Sequence, residues 1–156
     1  TKRNMNLRAR TMKIVVNARQ IERLSLGGSG TIDAEALRAQ TLRINLGGSG
    51  KIRVASLDAD KVSVSVGGSG DFRASGGKAR DVSVSIGGSG NVDMGKVAAD
   101  SVSVSVAGSG DVTVWARREL STSIAGSGDV KYYGDPKLRS SVAGSGKSRR
   151  LGDAPN

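Results

Sequence analysis

VSVSVGGSGD, residues 62–71, is an alternating run of valine and serine closed by glycines around one serine, and the phrase returns along most of the chain. The triplet GSG ends at Gly30, Gly50, Gly70, Gly90, Gly110, Gly128 and Gly146, so the spacing is 20 residues four times and then 18 twice. A fixed period of this length marks a solenoid. Within the period the alternation is two-residue: Val62, Val64 and Val66 share one face and Ser63 and Ser65 the other, which is strand chemistry. The same columns hold Leu42, Ile44, Leu46, then Val82, Val84, Ile86, then Val102, Val104, Val106.

A second strand follows each GSG, with Ile32 and Ala34, Ile52 and Val54, Phe72 and Ala74, Val92 and Met94, and Val112 and Val114 predicted to point inward. A third inward pair precedes the next repeat at Leu37 and Ala39, Leu57 and Ala59, and Val97 and Ala99. Three inward segments per turn define a three-sided coil. Side chains that recur once per turn stack only if successive turns pair in register, which makes every sheet parallel. The expectation is an all-β, right-handed parallel β-helix of about seven coils, its hand set by the preference of parallel crossovers. With a rise of about 4.8 Å per turn, its core is a rod of roughly 30 Å. GGSG is the corner, where glycine accepts a positive φ and lets stacked backbones approach closely.

The remaining composition agrees with that narrow interior. Hydrophobic residues are 37% of 156, aromatics 3%, and glycines number 23, so the core must be filled by small and branched aliphatics. There is no cysteine and no histidine, which excludes disulfides, thiolate or imidazole metal sites and nucleophile–histidine triads. No apolar run approaches the roughly 18 residues that span a bilayer, and no signal peptide is present. The chain starts at Thr1 without Met, which reads as a trimmed or mature form. One domain over 1–156 is expected, with 1–20 an irregular N-terminal cap or arm, 21–146 the repeats and 147–156 a C-terminal tail.

Charge is concentrated at the ends. The net charge of +10 divides into +6 over residues 1–26, +2 over 27–146 and +2 over 147–156. Lys2, Arg3, Arg8, Arg10, Lys13, Arg19 and Arg23 supply the first cluster, which serves either as a charged cap on the terminal strand or as an arm that contacts an anion. Nucleic acid is not the expected partner, because neither a stacking platform nor a basic stripe on an ordered face is evident. The core thins toward the end: the series Leu24, Ile44, Val64, Val84, Val104 gives way to Thr122 and Ser140.

Several motifs invite chemistry. GGSGD is close to the calcium-binding GGxGxD nonapeptide, but the acid falls one position early and the period is not nine. The position after GSG reads Thr31, Lys51, Asp71, Asn91, Asp111, Asp129 and Lys147, and a cation ladder cannot contain lysine. AGSGKS, residues 143–148, looks like the end of a phosphate loop, yet Ser141 stands where its first glycine belongs and no helical pattern follows, so it is one more corner. The ladder Ser63, Ser65, Ser83, Ser85, Ser103, Ser105, Ser121 and Ser123 lacks the threonine methyls that ice-binding faces use and reads as a small polar exterior. Asp71, Asp93, Asp111 and Arg73 lie near one outer side and are the candidates for cleaving a polysaccharide, but no long loop interrupts the repeat to build a cleft. No catalytic, metal or cofactor-binding residue is expected, and the ligand-binding residues stay open.

The recurring strand–GSGD–strand phrase, best seen in KVSVSVGGSGDFRA, DSVSVSVAGSGDVTV and STSIAGSGDVKYY, resembles the head GIN domain family of auto-transporter adhesins over roughly residues 14–146. Thr31, Lys51, Asn91 and Lys147 depart from its aspartate. The resemblance implies a parallel β-helix exported to the periplasm or the surface of a bacterium, or beyond it. It implies a non-catalytic adhesive, binding or structural role, with a polysaccharide-acting β-helical lyase or hydrolase as the alternative. The expected partner is a glycan or another cell-surface polymer, and the coil ends are open to self-association.

Overall fold

A computed structural model describes residues 3–9, 13–18, 21–28 and 30–152, with side chains throughout from Gln40 onward. Strands follow one another as β1 (Arg3–Ala9), β2 (Lys13–Ala18), β3 (Ile21–Gly28), β4 (Thr31–Gly48), β5 (Lys51–Gly68), β6 (Asp71–Ala74), β7 (Gly77–Gly88), β8 (Asn91–Gly108), β9 (Val112–Gly126), β10 (Val130–Tyr133), β11 (Lys137–Gly144) and β12 (Ser148–Gly152). Among the described residues there is no helix, and the strands join one 12-stranded sheet whose pairings are parallel.

The register is that of stacked turns. Leu24 pairs with Ile44, Ile44 with Val64, Val64 with Val84, Val84 with Val104, Val104 with Thr122 and Thr122 with Ser140. Burial alternates along β5, so that Val62, Val64 and Val66 are buried and Ser63 and Ser65 exposed. The second side buries Ile52, Val54, Phe72, Ala74, Val92, Met94, Val112 and Val114, and the third Leu57, Ala59, Val97 and Ala99. Ile32, Ala34, Leu37 and Ala39 lie on described backbone whose side chains fall outside the description.

Strands continue beyond the repeats at both ends. The first 20 residues, expected as an irregular cap or arm, carry two strands: β1 pairs with β3 and β2 with β4, so the stack begins before the first GSG. The tail likewise continues the coil through β12, paired with β10. Full three-sided turns number about six rather than seven. The third side runs through Leu37, Leu57, Gly77 and Val97 and ends at Trp115 and Ala116. Beyond it, only Gly134, Asp135 and Pro136 separate β10 from β11, too few for another third strand.

The interior closes with hydroxyls where the valine series stops. Thr122 is buried, and its Oγ1 donates to Ser140 Oγ at 2.9 Å, while Ser148 Oγ lies 3.2 Å from both. Each polar atom thus has a partner, the condition for burying it cheaply. On the last rung Leu138 and Val142 are 40% and 41% exposed.

Candidate functional site

The GSG corner is built for stacking. Gly68 has φ +108°, and a Cβ there would sit 2.7 Å from Gly48 O; a Cβ on Gly70 would meet Gly50 O at 2.6 Å and the Leu46 side chain at 2.7 Å. Gly67, by contrast, faces open space, and its register column holds alanine at 107, 125 and 143. The parallel ladder runs through the corner, with Ser69, Ser89 and Ser109 N–H donating to Gly48, Gly68 and Gly88 O at 3.0 Å each.

The acid after GSG has a structural task in the later turns. Through the earlier corners the N–H of Lys51, Asp71 and Asn91 reaches the carbonyl of Gly30, Gly50 and Gly70. From Asp111 on, the same N–H turns to a side chain one turn back: Asp111 N–H donates to Asn91 Oδ1 at 3.1 Å, Asp129 N–H to Asp111 Oδ1 at 3.3 Å and Lys147 N–H to Asp129 Oδ1 at 3.0 Å. Asn91, Asp111 and Asp129 therefore act as acceptors for the next turn's backbone, a role that asparagine fills as well as aspartate. Thr31 and Lys51 stand where that acceptor is not required. Residues 143–148 place Gly144 at a corner with φ +129° and lead into β12, not into a helix.

Outward charges alternate in sign from turn to turn on the third side. Asp58 pairs with Lys78 and Lys61 with Asp81, an arrangement that sets opposite charges side by side across the sheet. A hollow of about 200 Å³ lies among Asp58, Asp60, Lys78, Arg80, Asp100 and Arg117. Another of about 160 Å³ lies beside Ser101, Ser103, Glu119 and Lys137. Both are smaller than a typical small-molecule pocket of roughly 300–1,000 Å³.

Asp71, Asp93, Asp111 and Arg73, the candidate carboxylates and base, share the outer face of the second side and line neither hollow. Arg73 Nε is 3.8 Å from Asp93 Oδ2, in a pair with side chains 67% and 51% exposed, and exposed pairs contribute little. Asp71 and Asp111 are two turns apart, with Asn91 between them. Among the described residues, no group of three or more His, Cys, Asp or Glu is placed to hold a metal. The serine columns stack in register and face outward as expected. Lys2, Arg10 and Arg19 lie outside the described residues, and Arg3, Arg8, Lys13 and Arg23 are described in backbone alone.

One outward feature escaped the sequence reading. Trp115 and Tyr133 are in-register partners on adjacent turns and are both half-buried rather than interior. Their signal was present: each falls on the outward parity of its strand, and they stand 18 residues apart, the shortened period.

A parallel β-coil with glycine corners and a polar, shallow exterior defines the class of protein. The chain belongs to the family described as "putative auto-transporter adhesin, head GIN domain", which matches residues 1–136. Among solved structures it is similar to a putative adhesin of Bacteroides fragilis, 29% identical, with a TM-score of 0.80 over 85% of this chain and 61% of that one. It is also similar to a putative lipid binding protein of Parabacteroides distasonis, 26% identical, TM-score 0.77, over 94% of this chain and 60% of that one. A putative adhesin of the same organism, 23% identical, TM-score 0.82, over 96% of this chain and 63% of that one, shares the fold. The chain thus spans about three-fifths of the length of these structures. A comparison with curated proteins finds no match. No helix of the described residues is long and apolar enough to cross a membrane.

Proposed function

We propose that the chain is a non-catalytic binding module of an exported protein, at the cell surface or in the periplasm, and that its outer faces take a glycan or another surface polymer. Membership of the adhesin-head family over residues 1–136 carries the proposal. The shape supports it: a stack of in-register strands presents long, regular outer faces, suited to a polymer that itself repeats.

The test is an array of glycans and bacterial surface polymers, with lipid vesicles as a separate arm, followed by sizing of any bound polymer after prolonged incubation. Saturable retention of a polymer whose chain length does not change is the expected result. Shortening of the polymer would overturn the non-catalytic reading in favour of a polysaccharide lyase or hydrolase. Binding to vesicles alone would replace the glycan by a lipid.

A further inference from the structure

We infer that Trp115 and Tyr133 form a sugar-stacking platform on the outer face of the coil, an inference that rests on the binding role proposed above. The described outer columns elsewhere are mostly serine, acid, base and other small residues, and aromatics are only 3% of the chain. Two of its four aromatic residues nevertheless turn outward on neighbouring rungs, as in-register partners. Phe72 and Tyr132, the other two, are buried inside.

Each outward ring lies against a glycine. Tyr133 reaches back two turns, so that its Cε2 is 3.2 Å from the place a Cβ on Gly95 would occupy, with Thr113 Cγ2 at 3.0 Å and Asp93 Oδ1 at 3.5 Å from the same point. Trp115 leans the other way, its Cδ1 3.4 Å from a Cβ on Gly134. A Cβ at Gly95 would crowd the Tyr133 ring, whereas one at Gly134 would come only to ordinary contact with Trp115. The repeat creates the room. Register shifts between Met94 and Ala98, so Gly95, Lys96 and Val97 have no counterpart in the next turn and Trp115 takes the place opposite Ala98.

The chemistry fits a pyranose. The ring C–H groups of a sugar need an apolar, weakly negative face, which an aromatic supplies, and its hydroxyls need acceptors at the edge. Asp93 provides that edge: its Oδ1 accepts from Gly95 N–H at 3.2 Å, which fixes the carboxylate beside the Tyr133 ring, and its side chain is 51% exposed. Trp115 and Tyr133 on successive rungs, about 4.8 Å apart, are matched to neighbouring units of one chain rather than to an isolated sugar.

Trp115 is the only tryptophan, so its fluorescence reports on the platform alone. The intact protein is titrated with hexasaccharides of β-1,4-glucose, α-1,4-glucose and β-1,4-N-acetylglucosamine and with any polymer retained on the array. At least one should shift the Trp115 emission saturably, and Tyr133→Ala should weaken that binding tenfold or more. Trp115→Phe should retain binding by sedimentation or retention assay, and Trp115→Ala should lose it. Melting curves of all variants show whether the fold survives. If the alanine variants melt lower yet bind unchanged, the rings only cover the coil and the platform is wrong. Array binding that leaves Trp115 emission silent and is indifferent to both alanines sinks the platform while sparing the binding role. An empty array with silent emission sinks both.

Discussion

Val84→Asp unfolds the middle of the coil, whereas Ser85→Asp, one residue along, leaves the melting temperature nearly unchanged. Val84 is 2% exposed and lies between Val64 and Val104 in a continuous inward column. A carboxylate there has neither water nor a partner, and an uncompensated buried charge costs on the order of 3–5 kcal/mol. That is a large share of a typical total stability of roughly 5–15 kcal/mol. Because each turn is held by its neighbours, the loss spreads along the stack. Ser85 faces outward between Ser65 and Ser105, where substitutions stay within about 0.5 kcal/mol. Thermal and urea unfolding followed by circular dichroism distinguish the two. Equal midpoints would show that the inward and outward faces are misassigned.

Gly68→Ala and Gly67→Ala separate just as sharply, although they are adjacent and chemically the same change. At position 68 the methyl must adopt φ +108° and crowd Gly48 O. A non-glycine residue in such a conformation costs about 1–3 kcal/mol before the close contact is counted. The carbonyl below cannot retreat, because it accepts the N–H of Ser69 at 3.0 Å. At position 67 nothing lies within 4 Å of the new methyl, so the change should be neutral or stabilise by up to about 1 kcal/mol through the unfolded chain. Urea midpoints measure both. A Gly67→Ala variant as unstable as Gly68→Ala would show that the corner is crowded throughout.

Most of the fold was legible because its two signals are local: the valine–serine alternation and the glycine corner. Neither signal marks the ends. Asn4-Met5-Asn6-Leu7 alternates like the later strands, and β1 pairs Met5 with Leu24 and Leu7 with Leu26. Residues 10–12, however, contain no GSG, so the turn went uncounted. The count of corners also overstated the number of full turns, because a GSG marks one corner and says nothing of the third side. The role of Asn91, Asp111 and Asp129 was hidden for a different reason. A one-dimensional column shows which residue follows GSG, but not that from Asn91 onward the backbone N–H of the next turn leaves the glycine carbonyl and takes the side-chain oxygen. Trp115 and Tyr133 were readable from strand parity and passed over because aromatics are so few.

The spacing of stacked turns is the direct test of the parallel coil. Ser25, Asn45, Ser65, Ser85, Ser105, Ser123 and Ser141 form one register column, and the chain has no cysteine to interfere with labelling. Nitroxides are placed in pairs at 45 and 123, 45 and 141, and 25 and 141, and the distances are read by pulsed dipolar spectroscopy. A parallel stack predicts about 19, 24 and 29 Å, a slope of about 4.8 Å per turn. Hairpins folded at the GGSG corners would lay two strands of every repeat side by side in the same sheet, and a slope of about 9.6 Å per repeat would contradict the coil.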